Sequence, residues 1–319
     1  MAQMHVSKQA AASLVDGVES FAAEAAAAPG NVSDEGHRGG LWPRLQAGAR
    51  LIGSQPLAFV GLAILGMHVL MAIFGPFVAP YSATEFHLDD KLQGPSAAYL
   101  FGTDQFGRDI FSRVLIGARS ILLLSTISTS FGLLLGVTVG MIAGYAGGML
   151  DEILMRLMDA LMAFPSLLLS LLVLTMLGPA TQNVVLAIGL VFMPNVARVV
   201  RSVALGLRTM EYVDAARVRG ESNFYIIVRE LLPNAVAPIV VEGAIRVSYA
   251  ILLAASLGFL GLGIQPPHPD WGLMVSEARH FLGFAPWMVL FPSLGIASLV
   301  IGTNLFADGL TRALEPGRR

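Results

Sequence analysis

Chemistry at a protein surface needs reactive side chains at defined spacings, and this sequence offers few of them. Its two lysines, Lys8 and Lys91, lie outside any loop of the form GxxxxGK[ST], whose backbone amides cradle phosphates, so the chain does not hold a nucleotide by that device. The six histidines show no HExxH pair. His87 beside Asp89 and Asp90 imitates a metal site, but a cluster of this kind in a polar loop is more simply a solvated one. No cysteine is present, which removes disulfides, thiolate ligands and a thiol nucleophile together. No Ser/His/Asp arrangement stands out. The expectation is a protein without catalytic residues, cofactor or metal, and with no nucleic acid among its partners.

The charges that call for an explanation are those set within apolar surroundings. Glu242 and Arg246 stand i, i+4 inside an apolar run at 235–258. A central charge costs about 2.5–3.5 kcal/mol to insert, whereas each Leu, Ile, Val or Phe returns about 0.3–0.6 kcal/mol. Ten such residues in that run recover roughly 3–6 kcal/mol, so the run is near break-even by itself and must face protein or water. Either the two charges pair and help the helix pack, or they line a translocation path. Arg156 and Asp159 have an i, i+3 spacing at the inner end of another run, where a packing role is expected.

The elements that must position these residues follow from composition. Of 319 residues, 55% are apolar and 13% charged, about half the charged share of a soluble chain. Six apolar segments, near 57–79, 119–142, 154–177, 183–203, 235–258 and 287–307, are each about 20 residues or longer, as a helix needs to cross a hydrocarbon core of about 30 Å. The expected fold class is an all-α membrane protein of six transmembrane helices. With the N-terminus inside, cytoplasmic segments hold fourteen Lys and Arg against five outside, so the positive-inside rule places both termini in the cytoplasm. Residues 1–50 read as a mostly disordered cytoplasmic tail, although Leu14, Val18 and Phe21 have amphipathic spacing; Asn31 to Ser33 is a chance glycosylation sequon. The membrane domain spans 51–319. Thr103 or Asp104 is expected to cap a short helix ahead of the second span, and the Gly- and Pro-rich stretch after 259 to form a re-entrant or surface loop. Prolines 165, 194, 238 and 292 fall in or beside spans, where they kink helices.

Between the fourth and fifth spans, within the cytoplasmic loop 204–234, lies EYVDAARVRGESNFYIIVRELLPN, with seven charges in 24 residues. Glu211 and Asp214 occupy the first turns of a helix, where its dipole favours negative charge, and Arg217 is placed to pair with Asp214. Tyr212, Val213, Ala215 and Ala216 are assigned to one shallow apolar face, suited to another protein's groove. Gly220 offers a C-terminal turn, Ser222 caps a second short helix, and Leu232–Pro233 should break the chain before the fifth span. An amphipathic helix resting on lipid headgroups is the other reading of this segment.

Asp214, Ala215, Ala216 and Gly220, followed by Leu232 and Pro233, resemble the EAA loop of permease subunits in ABC-type importers. Asp214 stands for the first Glu of that pattern and Glu230 stands where many such permeases carry Ile. FGTDQFGRDIFSRVLIGARS, RLMDALMAFPSLLLS, FLGLGIQPPHPDWG, APWMVLFPS and ADGLTRALEP resemble, in order, the C-type permeases of the dipeptide, oligopeptide and nickel group. The likeness covers roughly 50–316, with Ala254 where related sequences often have Glu. It implies the type I importer permease fold in a bacterial cytoplasmic (inner) membrane. It further implies a second permease subunit completing the pore and two cytoplasmic ATPases gripping 211–224. An extracytoplasmic solute-binding protein would deliver a small peptide or similar solute. Under this reading Glu211, Asp214, Ala215, Ala216, Arg217, Gly220, Leu232 and Pro233 form the ATPase-coupling site. An ion-coupled secondary transporter using Glu242, or a membrane scaffold recruiting a cytoplasmic partner, are the alternatives.

Overall fold

A computed structural model of the chain describes residues 56–314; the tail expectations for 1–50 lie outside the described residues. Regular structure among the described residues is helical, apart from one isolated bridge between Thr103 and Asp109. The helices are α1 (Pro56–Val78), α2 (Ile110–Ala146), α3 (Gly148–Met162), α4 (Ser166–Leu177), α5 (Thr181–Leu207), α6 (Glu211–Val218), α7 (Val236–Phe259), α8 (Trp271–Ala278) and α9 (Trp287–Leu314). Between α6 and α7, residues 223–234 are also helical, with a π turn at Ile226–Leu231. Helices α1, α2, α5, α7 and α9 are each long and apolar enough to cross a membrane, and the bent pair α3 and α4 meets the same criteria when taken together, as a sixth candidate.

The third span is not the straight helix expected over 154–177. α3 and α4 meet at 89°. Pro165 takes an extended conformation (φ −55°, ψ 134°) between them, and a proline lacks the amide that would continue the ladder. The second span is longer than expected. Helix α2 begins at Ile110, well before the apolar run, because Asp109 caps it: its carboxylate accepts from the Ser112 amide at 2.8 Å and the Ser112 hydroxyl at 2.6 Å. Thr103 and Asp104, the expected caps, sit in the preceding loop. There Asp104 accepts from the Phe106 and Arg108 amides, at 2.8 and 2.9 Å, and pairs with the Arg108 guanidinium. The stretch after 259 is a loop only as far as Asp270, which caps α8 by accepting from the Leu273 amide at 2.9 Å.

The outer segments are stitched into one cap. Trp271, fully buried, donates its indole N–H to the Val114 carbonyl at 3.0 Å, and Trp287 donates to the Thr103 carbonyl at 3.2 Å. Arg108 reaches Glu277 at 3.2 Å. Tyr99 donates its hydroxyl to Asp90 at 2.8 Å; burial, with Asp90 adding, pushes this phenol up to about 12, so it keeps its proton across the neutral range.

The pair that carries the centre of the fold is α2 and α5. Gly132, Gly136, Gly140 and Gly144 recur every four residues along one stripe of α2, and the contacts advance together along both chains, from Gly132 on Gly189 to Gly144 on Ala204. The two helices therefore run parallel. A Cβ at Gly140 would lie 2.5 Å from the Ala197 carbonyl oxygen, so only a bare backbone allows this approach. α1 and α9 pack antiparallel by the same means, Gly61 against the Gly302 carbonyl and Gly309 against Ala58.

Candidate coupling site and intramembrane charges

The loop 208–235 is built onto the inner end of the α2–α5 pair. Arg208, directly after α5, donates to the Gly144 carbonyl of α2 at 3.1 Å. α6 then lies flat on a small core. Val213 and Ala216 are fully buried with Met141, Val196, Val200, Ala204, Ile226, Leu231 and Ala235. This corrects the expected apolar face. Successive helical residues turn through about 100°, so Ala215 points roughly 200° from Val213, and it is exposed. The shallow face closes the protein's own core, and the opposite face carries Glu211, Asp214, Ala215 and Val218 outward, Val218 being 89% exposed.

Helix α6 ends as the glycine requires. Gly220 has φ +80°, its amide donates to the Arg217 carbonyl at 3.0 Å, and the Glu221 amide donates to the Ala216 carbonyl at 3.2 Å. This is the paired Schellman closure, in which a left-handed residue lets two terminal carbonyls find donors. Ser222 caps the following helical segment by accepting from the Tyr225 amide at 3.2 Å. Asp214 accepts from Arg217 at 2.8 Å, the spacing expected.

Leu232 and Pro233 are themselves helical, and the break expected before the fifth span falls just after them, at Ala235 (φ −92°, ψ −1°). Leu232 is half-buried and Pro233 exposed, both within the helical segment that leads to α7. The π turn at Ile226–Leu231 explains the difference: the Leu232 amide reaches back five residues to Ile227, and the wider turn accommodates the proline ring. The Asn234 side-chain amide donates to the Glu230 carbonyl at 2.7 Å.

Several contacts were not visible in the sequence. The Tyr145 hydroxyl bonds the Asn223 side-chain oxygen at 3.1 Å, and Arg217 lies over the Tyr145 ring at 5.6 Å. Arg219 pairs with Glu230 at 3.4 Å, tying the end of α6 to the second segment through the residue that departs from the EAA pattern. Burial pushes the Tyr212 phenol up, and Glu230 adds to the effect, so this ring keeps its proton beneath the loop.

Glu242 and Arg246 meet at 2.6 Å on α7; the Glu242 side chain is 9% exposed and that of Arg246 18%. Arg246 also lies over the Tyr249 ring at 5.6 Å. Arg156 and Asp159 are not brought together. Arg156 reaches Glu152 at 3.7 Å on the exposed side of α3, while Asp159 accepts from Arg198 of α5 at 2.5 Å. Asp151, beside them, takes both arms of Arg201 at 2.5 and 2.6 Å. The residues joining α3 to α5 are thus Asp151 and Asp159, each with an arginine of α5. Among the described residues no group of His, Asp and Glu has the geometry to hold a metal ion, and His87 faces Glu85 at 3.6 Å.

Residues 136–319 match the family described as the binding-protein-dependent transport system inner membrane component, the part of the chain that contains α5, the loop and α7. The chain belongs to this family. Residues 51–95 match the N-terminal transmembrane domain of oligopeptide transport permease C. The permease is 46% identical over 260 residues to the dipeptide transport system permease protein DppC of Alkalihalophilus pseudofirmus, covering 82% of this chain and 86% of that one. It is 42% identical to the glutathione transport system permease protein GsiD of Pectobacterium atrosepticum, over 80% of this chain and 85% of that one. It is 40% identical to the di/tripeptide transport system permease protein DppC of Pseudomonas aeruginosa, over 81% and 88%. The chain is a pore-forming permease subunit of an ATP-driven importer, with the type I permease fold, in the bacterial cytoplasmic membrane, and is not itself an enzyme.

Proposed function

We propose that this permease forms half of a pore for small peptides or similar solutes, and that the outward face of α6 is the handle by which a cytoplasmic ATPase drives it. The observation that carries this reading is the division of α6 into two faces. Val213 and Ala216 anchor it in the permease, while Glu211, Asp214, Ala215 and Val218 are exposed on the outward face. An exposed valine on an outward face that also carries the carboxylates of Glu211 and Asp214 suits a partner's groove, because it adds apolar burial only on docking. The partners are a second permease subunit, two ATPases and an extracytoplasmic solute-binding protein. Peptide as cargo rests on the names of the relatives. The Glu242–Arg246 pair acts as a packing pair that lets α7 carry two charges into the bundle.

Gly220 tests the coupling role. No atom lies within 4 Å of a Cβ built there, so a substitution meets only the backbone cost of the left-handed conformation, about 1–2 kcal/mol for a residue with a Cβ. Gly220→Val should abolish uptake and solute-stimulated ATP hydrolysis while leaving membrane insertion intact, and Gly220→Asn should retain part of both. Full stimulated turnover by Gly220→Val would refute the role.

A further inference from the structure

A groove of about 580 Å³ runs between α1 and α2 on the outward-facing side of the bundle, lined by Val69, Ile73 and Phe77 from α1 and by Arg119, Leu123 and Thr126 from α2. Arg119 is the one charged residue of the lining, and it is exposed and makes no ion pair among the described residues. Its depth matters. Gly75 of α1 packs against the Leu115 backbone, and Arg119 lies one helical turn further in, about 6 Å deeper. The flanking side chains are apolar and open, Phe77 being 84% exposed and Leu123 51%. A guanidinium at that level cannot rest on hydrocarbon without an anion, and its flexible stem lets the head rise toward the boundary where phosphates lie.

We infer that this groove is a phospholipid site of the outer leaflet, in which Arg119 holds the headgroup phosphate and the apolar walls hold an acyl chain. The polarity of the groove changes along the membrane normal as a lipid's does. From Arg119 to Thr126 the walls run about 10 Å further inward, roughly two thirds of the half-thickness of a hydrocarbon core of about 30 Å. Arginine suits the task because its planar fork contacts two phosphate oxygens at once, and lysine supplies the charge without the fork. A bound lipid would fill the seam between α1 and α2 and oppose its opening.

The test uses the whole importer complex in nanodiscs of phosphatidylcholine doped with phosphatidylglycerol whose acyl chain carries a photoreactive group. Irradiation followed by peptide mapping should place adducts on the 69–77 and 119–126 segments. Arg119→Gln should lower them about tenfold, the loss of one charge-assisted contact, while Arg119→Lys keeps most of them. The melting temperature of Arg119→Gln should match that of the parent, since the residue makes no internal ion pair. Unchanged adduct yield in Arg119→Gln would overturn the inference. So would benzoylphenylalanine at Leu123 cross-linking to another protein subunit, which would show the groove to be a subunit interface.

Discussion

Arg217 of the loop between α5 and α7 lies over the Tyr145 ring at the inner end of α2, its guanidinium carbon 5.6 Å from the ring centre, while the Tyr145 hydroxyl bonds Asn223 beyond Gly220. One aromatic residue thereby touches both halves of the loop. It also belongs to the helix that packs most closely on α5, so a displacement of α6 reaches the membrane through side-chain contacts as well as through the chain.

Tyr145→Ala should therefore weaken coupling without preventing assembly. A cation–π contact at an exposed site is worth about 0.5–1 kcal/mol, and the hydrogen bond to Asn223 adds about 1 kcal/mol. Solute uptake per ATP hydrolysed should fall several-fold in proteoliposomes. Tyr145→Phe, which keeps the ring, should lie between the variant and the parent, and equal coupling in all three would remove Tyr145 from the path.

Gly140→Val should be among the most damaging single changes in the membrane domain. Its new side chain meets the Ala197 carbonyl and Val200, and overpacking costs about 1–3 kcal/mol. The detergent-solubilised protein should melt several degrees lower. Gly206→Ala, at the end of α5 with no atom within 4 Å of its Cβ, serves as the matched control and should melt with the parent.

Removing one member of the Glu242–Arg246 pair should cost about 3–5 kcal/mol, because the other charge is left buried without a partner. Glu242→Gln and Arg246→Met alone should each reduce folded yield. The double variant should recover most of it, and transport with it. Recovery of yield without transport would assign the two charges to the solute path instead of to packing.

Asp109→Ala should fray the first turns of α2, since the carboxylate satisfies both the Ser112 amide and its hydroxyl; loss of a cap of this kind costs about 0.5–2 kcal/mol. Protease sensitivity of the outer cap should rise, while the inner loop stays protected. Equal digestion at both faces would show that the cap is held by other contacts.

The features legible in the sequence were those with short-range causes. Gly220, the Ser222 cap and the Asp214–Arg217 pair lie within four residues of their partners, and five crossings, with the bent α3–α4 pair as the sixth candidate, follow from hydropathy. The features that were not legible depend on residues far along the chain. Asp159 finds Arg198 on another helix, so its i, i+3 neighbour Arg156 goes unused. Tyr145 becomes part of the loop only once α2 has been placed against it. The break expected at Pro233 falls two residues later, at Ala235, because a single π turn upstream absorbs the ring, and no local propensity rule registers such a turn. Glycines at every fourth position of α2 are plain in the sequence, but the helix that uses them is not.

The unbroken length of α2 sets how the two sides of the membrane communicate. Its 37 residues contain no proline and form a rod about 55 Å long, with Asp109 at the outer end and Tyr145 one residue from the inner end. That rod is held at both ends, along its inner half by the glycine contacts with α5 and near its outer end by Trp271 on Val114 and Gly75 on Leu115. Any tilt of α2 at one face of the bundle must therefore be shared by the other, since no proline hinge within it can absorb the change.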